Sequence, residues 1–460
     1  MQKIAVIYGT QNSAVQRKAL ERLTTILLDE TLEYPMCIQY RDDLELSDYK
    51  CIYLGTKEDH PYIRSASEVT LSAEESYHIS AGGRTVIIEG FDDAGVLYGV
   101  SDFYQKYIAS CKNSENLFSR DELPPFSCVS APEIKERGLW TWGHVIYDYR
   151  GYLDNMASLK LNRLIVWNDF APFNADEIVE YAHSCNIKLI WGFAWLWEPD
   201  CKQVDIKNLE GQPERIFEKY QKEYGRVGGD GIYFQTFTEL GTDNIDGVLI
   251  AEAAANFVNR TAALFYDRYP HMDIRFGLHA TSVKDRLTFI AKVDPRICIV
   301  WEDCGAFPFS YSPNDVETFE QTKAFAETVS RLRGADDRFG VVTKGLINLD
   351  WTRFEHLRGP HYLGVSSKQL RKTKLEQTRR QWRRIQAGWL LNAGKAYEMV
   401  RTMCDKKDGE LSVFALVEDG MFEETVMFPV ALYAQMLWEC HGELQALMHA
   451  VALRNDVTFA

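Results

Sequence analysis

The 460-residue sequence lacks the features that mark most secreted, membrane and nucleic-acid-binding proteins. Its start, MQKIAVIYGTQNS, turns polar too soon for a secretion signal, and no run approaches the roughly 18 apolar residues of a membrane span. The ten cysteines include no CxxC pair and no Cys/His group with zinc spacing. A net charge of −15 argues against a general basic surface for nucleic acid or anionic membrane. We therefore expect a cytoplasmic protein with reduced thiols, no metal and no cofactor.

The first part of the chain predicts a small α/β domain. A strand at 3–9, a polar loop and a helix come first, and short apolar strands follow at 51–56 and 84–90. An amphipathic helix comes next, and then the proline-containing segment DELPPFSCVSAPE at 121–133, which is typical of a linker. We place the N-terminal domain at residues 1–128.

The pattern changes at residue 133, where apolar strand candidates begin to alternate with helical segments. These candidates lie at 136–142, 161–169, 187–195, 231–239, 274–282, 298–305, 339–351 and 411–420. Alternating strands and helices predict a parallel sheet, and eight units over about 300 residues predict a closed (β/α)8 TIM barrel. We place this barrel at 133–440 and a closing helical segment at 441–460.

The carboxyl ends of barrel strands carry the active site, and here they are rich in acids and tryptophans. Glycoside hydrolysis needs two carboxyl groups that flank one bond, so these ends favour that chemistry. The candidate catalytic residues are Glu239, Glu302, Asp303 and Asp350. The candidate sugar-binding residues are Trp142, Trp167, Asp169, Trp195, His279, Trp301, Lys344, Trp351, Arg353, Glu418 and Asp419. The alternative is that the acids cap helix N-termini and that His279 is structural.

Glu239 is the strongest candidate for a catalytic residue, because the apolar run GIYFQTFTE ends in a single acid. Alternate residues of a strand face opposite ways, so Phe237 and Glu239 are expected to share one direction. A carboxyl group among aromatic rings loses water, which raises its pKa as a general acid requires.

Three segments resemble glycoside hydrolases. Residues 83–107, GRTVIIEGFDDAGVLYGVSDFYQKY, resemble the end of the small α/β domain that precedes the barrel in α-glucuronidases (family 67) and β-N-acetylhexosaminidases (family 20). The matching positions are Asp92, Gly95, Tyr98 and Gly99. Residues 137–169 resemble the first barrel unit of both families, and residues 415–438 resemble their eighth strand and closing helix.

The two families differ at the fourth strand. Hexosaminidases carry an Asp-Glu pair there, whereas this sequence has Thr238-Glu239, and a threonine cannot stabilise the developing oxazolinium charge. The α-glucuronidases end this strand in an aromatic-rich run and a single catalytic Glu, which YFQTFTE resembles. The resemblance therefore implies that Glu239 is the acid. The base would be one of the later-strand carboxylates Glu302, Asp303 and Asp350.

The predicted function is an exo-acting glycosidase that releases a uronic acid from short oligosaccharides, as an α-glucuronidase or α-galacturonidase does. Arg137, Lys344 or Arg353 would bind the substrate carboxylate. The alternatives are a β-N-acetylhexosaminidase-like enzyme and a catalytically inactive sugar-binding relative. The chain lacks the long C-terminal helical domain of the usual α-glucuronidase. The prediction therefore allows for an enzyme that acts on a different sugar and for a homodimer. Neither nucleic acid nor membrane is expected as a partner.

Overall fold

The computed structural model describes residues 3–11, 13–111, 117–196, 205–279, 282–302, 318–334, 336–343, 345–346, 359–406, 409–417 and 422–460. The chain divides into two compact units. The first comprises residues 1–132, 183–186 and 453–456, and the second comprises 133–182, 187–452 and 457–460. In the described part of the chain, no helix combines the length and apolar character needed to cross a membrane.

The first unit contains a mixed sheet with the strand order β2-β1-β3-β5-β4-β6. Its strands are β1 (Lys3–Tyr8), β2 (Met36–Gln39), β3 (Tyr49–Thr56), β4 (Tyr77–Gly83), β5 (Thr85–Gly90) and β6 (Leu123–Ser130). Its helices are α1 (Ala14–Thr31), α2 (Pro61–Ala66) and α3 (Asp93–Asp102). The Asp92 side chain caps α3 by accepting a hydrogen bond from the Gly95 amide at 2.8 Å, as its sequence pattern suggests.

The proline-containing segment 121–133, which sequence patterns assign to a linker, contains β6. This strand pairs antiparallel with β4 at the edge of the sheet. Prolines are tolerated there because an edge strand has amides that need not join the hydrogen-bond ladder. The linker interpretation of this segment is therefore wrong.

The second unit is a closed barrel of eight parallel strands, which confirms the predicted fold class. The barrel strands are β7 (Glu136–Trp142), β8 (Arg163–Trp167), β9 (Lys188–Gly192), β10 (Gly231–Gln235), β13 (Asp273–Leu278), β14 (Cys298–Trp301), β15 (Phe339–Thr343) and β16 (Leu411–Leu416). A hairpin of β11 (Asn244–Ile245) and β12 (Val248–Leu249) follows β10. Pairing of β16 with β7 closes the barrel.

Helices surround the barrel and follow it in the chain. They are α4 (Tyr149–Ser158), α5 (Ala175–Ser184), α6 (Gln212–Glu223), α7 (Ile250–Arg268), α8 (Leu287–Ile290), α9 (Phe319–Ser330), α10 (Lys368–Lys406), α11 (Phe428–Trp438) and α12 (Leu444–Ala452). The short strands β17 (Val426–Met427) and β18 (Val457–Thr458) pair beside α11. Sequence patterns did not predict α6 or the 39-residue α10.

The amino-terminal end of the barrel interior is closed by a buried ionic cluster. Glu136 accepts hydrogen bonds from Arg163 at 2.9 Å and from Arg275 at 2.8 Å, and also from the Ser412 hydroxyl. Arg275 is fully buried and reaches Glu136 from the opposite barrel wall. Although burial opposes ionisation, the two arginines hold the pKa of Glu136 well below its ordinary value. The charged cluster therefore occupies the amino-terminal end of the barrel interior, and the aromatic side chains lie towards the carboxyl end.

Candidate active site

Glu302 stands at the carboxyl end of β14 and points into the barrel. Cys298 and Val300 of the same strand belong to the interior cluster, and Glu302 continues their alternation. Only 4% of its surface is exposed. The Tyr233 hydroxyl donates to its carboxylate, and the Gln235 amide donates at 2.5 and 2.6 Å to its two oxygens. These donors fix the carboxylate in one orientation.

His279 links Glu302 to Glu239. It follows β13, it is 5% exposed, and its Nε2 lies 3.4 Å from Glu302 Oε2. The same nitrogen lies 3.9 Å from Glu239 Oε2. The two carboxylate oxygens are therefore separated by no more than the sum of these two distances. Three residues that sequence reasoning selected from three different strands come together at one end of the barrel.

The local structure of Glu239 differs from the expectation. Strand β10 ends at Gln235, and residues Phe237–Glu239 form a short 3-10 helix. Strand alternation therefore does not apply, and the predicted shared direction of Phe237 and Glu239 is wrong. Phe237 is buried and packs on Phe257 of α7, whereas 60% of the Glu239 side chain is exposed. The expected desolvation of Glu239 by aromatic rings is also wrong.

Aromatic rings line the barrel interior next to Glu302. Trp142 and Trp167, both predicted to bind sugar, contact each other at a centroid distance of 5.7 Å. Trp140 lies 5.1 Å from Trp142 and 5.9 Å from Trp167, and Tyr233 lies 6.1 Å from Trp140. The Nε1 atom of Trp167 has no hydrogen-bond partner among the described residues. This buried donor could bind a polar atom of a ligand.

Sequence reasoning missed Trp140, Tyr233 and Gln235 as parts of this site. A signal for two of them was present, since Trp140 precedes Trp142 by two residues and Gln235 follows Tyr233 by two. On a strand, that spacing places both members of a pair on the same face. Recognising it requires knowing which face of the strand points inwards.

Two of the predicted sugar-binding tryptophans lie outside the barrel wall. Trp195 stacks on Phe234 at a centroid distance of 3.5 Å and on Phe265 of α7 at 5.7 Å. Trp301 packs on Phe325 of α9 at 5.1 Å. Both tryptophans are fully buried. Their assignment as sugar contacts is wrong, because a residue next to an inward-facing one, as Trp301 is to Glu302, faces the surrounding helices.

Two further predicted residues have other surroundings. Arg137 lies near the amino-terminal end of β7 and donates to the backbone carbonyls of Ile134 and Lys160, at 2.7 and 2.9 Å. It is therefore at the wrong end of the barrel to bind a substrate carboxylate. Burial lowers the pKa of Lys219 in α6, and Asp169 opposes that shift, which places Asp169 beside α6.

The remaining predicted site residues lie outside the described part of the chain. They are Asp303, Lys344, Asp350, Trp351, Arg353, Glu418 and Asp419.

Glu423, after β16, is a buried acid that sequence reasoning did not select. Its Oε1 accepts hydrogen bonds from the Tyr147 and Asp148 amides at 2.5 and 3.1 Å, which anchors the start of α4. Its Oε2 has no partner among the described residues. Burial raises the pKa of Glu423 from its ordinary 4.5 to about 7. This carboxyl group therefore titrates near neutral pH.

No family model and no curated protein matches this sequence. Solved structures do match. A GH138 enzyme targeting pectin rhamnogalacturonan II has a TM-score of 0.57 and 11% identity over 96% of this chain and 52% of its own. CpGH84B has a TM-score of 0.52 and 13% identity over 98% of this chain and 70% of its own.

A third structure, a β-N-acetylhexosaminidase from Bacteroides fragilis NCTC 9343, has a TM-score of 0.45 and 13% identity over 66% of each chain. The present chain spans 52%, about half, of the length of the GH138 enzyme. At these identities, the likeness to the GH138 enzyme and CpGH84B establishes a shared fold. The more specific resemblance to α-glucuronidases stays a prediction.

Proposed function

We propose that this protein is a glycoside hydrolase that cleaves O-glycosyl bonds with Glu239 and Glu302. The observation that supports this is the approach of both carboxylates to one nitrogen of His279, at 3.9 and 3.4 Å, at the carboxyl end of the barrel. Carboxyl groups stand about 5 to 5.5 Å apart in retaining glycosidases and about 6.5 to 9.5 Å apart in inverting ones. The His279 contacts limit the separation of the two nearest oxygens to at most about 7.3 Å, an upper limit that is compatible with either geometry.

The surroundings of the two acids suit different roles. Glu302 is buried and accepts hydrogen bonds from Tyr233 and Gln235, so it suits the fixed nucleophile or base. Glu239 is exposed, so a sugar ring bound over it would remove it from water. Loss of water around a carboxyl group favours its protonated form, which is the form that a general acid needs. In this proposal, Glu239 donates the proton to the leaving oxygen.

The aromatic interior would bind the sugar. Trp142 and Trp167 offer ring faces against a pyranose, and the indole N–H of Trp167 would donate to a hydroxyl group. We infer an exo-acting enzyme that releases a uronic acid from short oligosaccharides in the cytoplasm. The α-glucuronidase resemblance supports the uronic acid, and Lys344 or Arg353 would bind its carboxylate. The structurally similar GH138 enzyme targets pectin rhamnogalacturonan II, which is consistent with a substrate derived from a polysaccharide.

A panel of aryl glycosides and disaccharides tests this proposal. Glu239→Gln should lower kcat by about 10²- to 10⁴-fold on a natural disaccharide, the usual scale for general acid catalysis. The loss should be smaller on aryl glycosides, whose leaving group needs no proton. Glu302→Gln should lose activity on both substrate types. Glu252→Gln, on the exposed surface of α7, is the matched control and should leave kcat unchanged.

The same panel separates the alternatives. Hydrolysis of an N-acetylglucosaminide but of no uronide would refute the uronic acid and support a hexosaminidase-like enzyme. Sugar binding without hydrolysis of any substrate would identify an inactive relative. Near-normal activity of Glu239→Gln on a disaccharide would contradict its role as the acid.

A further inference from the structure

A second cluster of reactive side chains lies near the amino-terminal end of the barrel strands. Cys404 is in the last turn of α10, and Cys440 and His441 follow α11. The potential ligand atoms of these three residues all lie within 4.8 Å of one another. Glu133, three residues before β7, joins them.

The distances within this cluster match a tetrahedral metal site. Nδ1 of His441 lies 3.4 Å from Cys440 Sγ and 3.3 Å from Glu133 Oε1. The Cys404 and Cys440 sulfur atoms lie within 4.8 Å of each other. Around tetrahedral zinc, Zn–S bonds of about 2.3 Å and Zn–N or Zn–O bonds of about 2.0 to 2.2 Å leave ligand atoms about 3.3 to 3.8 Å apart. The two spacings that His441 Nδ1 makes agree with those of adjacent ligands around such an ion.

Two further contacts hold the cluster in place. His441 Nε2 lies 2.7 Å from Asp405 Oδ1, a pairing that leaves Nδ1 as the nitrogen facing the thiols. A carboxylate on the second nitrogen is the usual support of a metal-binding histidine. The His441 amide donates to Glu133 Oε2 at 2.8 Å, which leaves Oε1 on the side of the imidazole. Both contacts orient groups towards a common centre.

We propose that Cys404, Cys440, His441 and Glu133 bind one zinc ion, with Asp405 as a positioning residue. Two thiolates with an imidazole favour zinc over the hard cations magnesium and calcium. The structure gathers the first three ligands, and Glu133, which contacts His441 from outside that group, would complete the coordination sphere when the ion binds. A sphere closed by four protein ligands makes the ion structural, and it would join α10, the segment after α11 and the start of β7. Binding releases the thiol protons to solvent, so affinity falls as the pH is lowered.

The separation of these ligands along the sequence explains why no metal site was predicted. Cys404 and Cys440 are far apart in the chain, and Glu133 is far from both, so no local pattern exists. The site stands apart from the proposed glycosidase function, because Glu302 lies at the other end of the barrel.

The test uses the full chain, reduced and stripped of metal with a chelator. Zn²⁺ is titrated in competition with a chromophoric chelator, and Co²⁺ is added separately to read thiolate-to-cobalt charge transfer. One Zn²⁺ per chain and a thiolate band with tetrahedral cobalt features are expected. Cys404→Ser and His441→Gln should abolish stoichiometric binding. Asp405→Asn should weaken it by about 10- to 100-fold, as is usual for such supporting residues.

The controls are Cys37→Ser and His449→Gln, both of exposed residues outside the cluster, and they should bind zinc as the wild type does. Because Cys440 is fully buried, a substitution there would also disturb packing. The test therefore relies on substitutions of Cys404 and His441, which are partly exposed. Failure of the reduced wild type to bind zinc, or unchanged binding in both variants, overturns the proposal. A Cys404–Cys440 disulfide that survives glutathione also overturns it.

Discussion

Gly277→Ala should disable the site without removing any functional group. Gly277 lies on β13 beneath Glu302, and a Cβ atom there would stand 2.2 Å from Glu302 Oε1 and 2.3 Å from the Tyr233 hydroxyl. Ordinary contacts begin at 3.4 Å, so the carboxylate and the tyrosine must each retreat by about 1 Å. A misplacement of about 1 Å can cost about 10²-fold in rate. We therefore expect kcat to fall about 100-fold while KM changes little.

The effect on folding can be measured separately. Extra volume in a packed interior costs about 1 to 3 kcal/mol of the free energy of unfolding, which urea denaturation would report. Gly340→Ala on β15 is the matched control, because its Cβ would meet the side chain of Val300 at 3.0 Å and the Ser412 carbonyl oxygen at 3.4 Å, away from Glu302. This control should show a comparable or smaller loss of stability and an almost unchanged kcat.

The comparison has a decisive outcome. If Gly277→Ala folds and keeps the wild-type kcat, then either Glu302 does not occupy the described position or its position does not matter for the reaction. If both glycine variants lose activity in proportion to stability, the effect is general destabilisation and the argument for Glu302 is refuted.

Three other predictions follow from buried groups. Tyr233→Phe removes a donor to Glu302 and should lower kcat by about 10- to 100-fold, the worth of a hydrogen bond to a charged group, as steady-state kinetics would show. Glu136→Gln removes the carboxylate that Arg163 and Arg275 share and leaves the buried Arg275 paired with Asp273, so it should cost about 3 to 5 kcal/mol of unfolding free energy in urea melts; a loss below about 1 kcal/mol would contradict this. Folded Glu423 keeps its proton up to about pH 7, whereas the unfolded chain loses it near 4.5, so stability should fall as the pH rises between these values. The penalty approaches about 3 kcal/mol above pH 7, and Glu423→Gln should remove this pH dependence from urea melts at pH 5 and 8; an unchanged pH profile would refute the raised pKa.

The local sequence determined the fold class. Short apolar runs alternating with helical segments specify a parallel barrel, because strands buried on both faces need no polar positions and each return to the next strand needs a helix. The rule that barrels place function at the carboxyl ends of their strands then selected Glu239, His279 and Glu302. These three residues come together in the structure.

Only the tertiary structure decided whether each strand side chain points into the barrel or towards the surrounding helices. A strand that is apolar on both faces carries no alternation signal, so the sequence could not tell inward Trp142 and Trp167 from outward Trp195 and Trp301. The point at which a strand ends was also not encoded in its apolar run, and for that reason the predicted surroundings of Glu239 were wrong.

Convergence of distant segments lies equally beyond local patterns. Cys404 and Cys440 meet only because α10 and α11 pack near the same end of the barrel, and Tyr233 reaches Glu302 only because β10 and β14 flank β13. Local periodicity reports which face of an element is apolar. Which elements become neighbours is set by tertiary packing: closure of the barrel assembled the carboxylate site, and the packing of α10 and α11 assembled the thiol cluster.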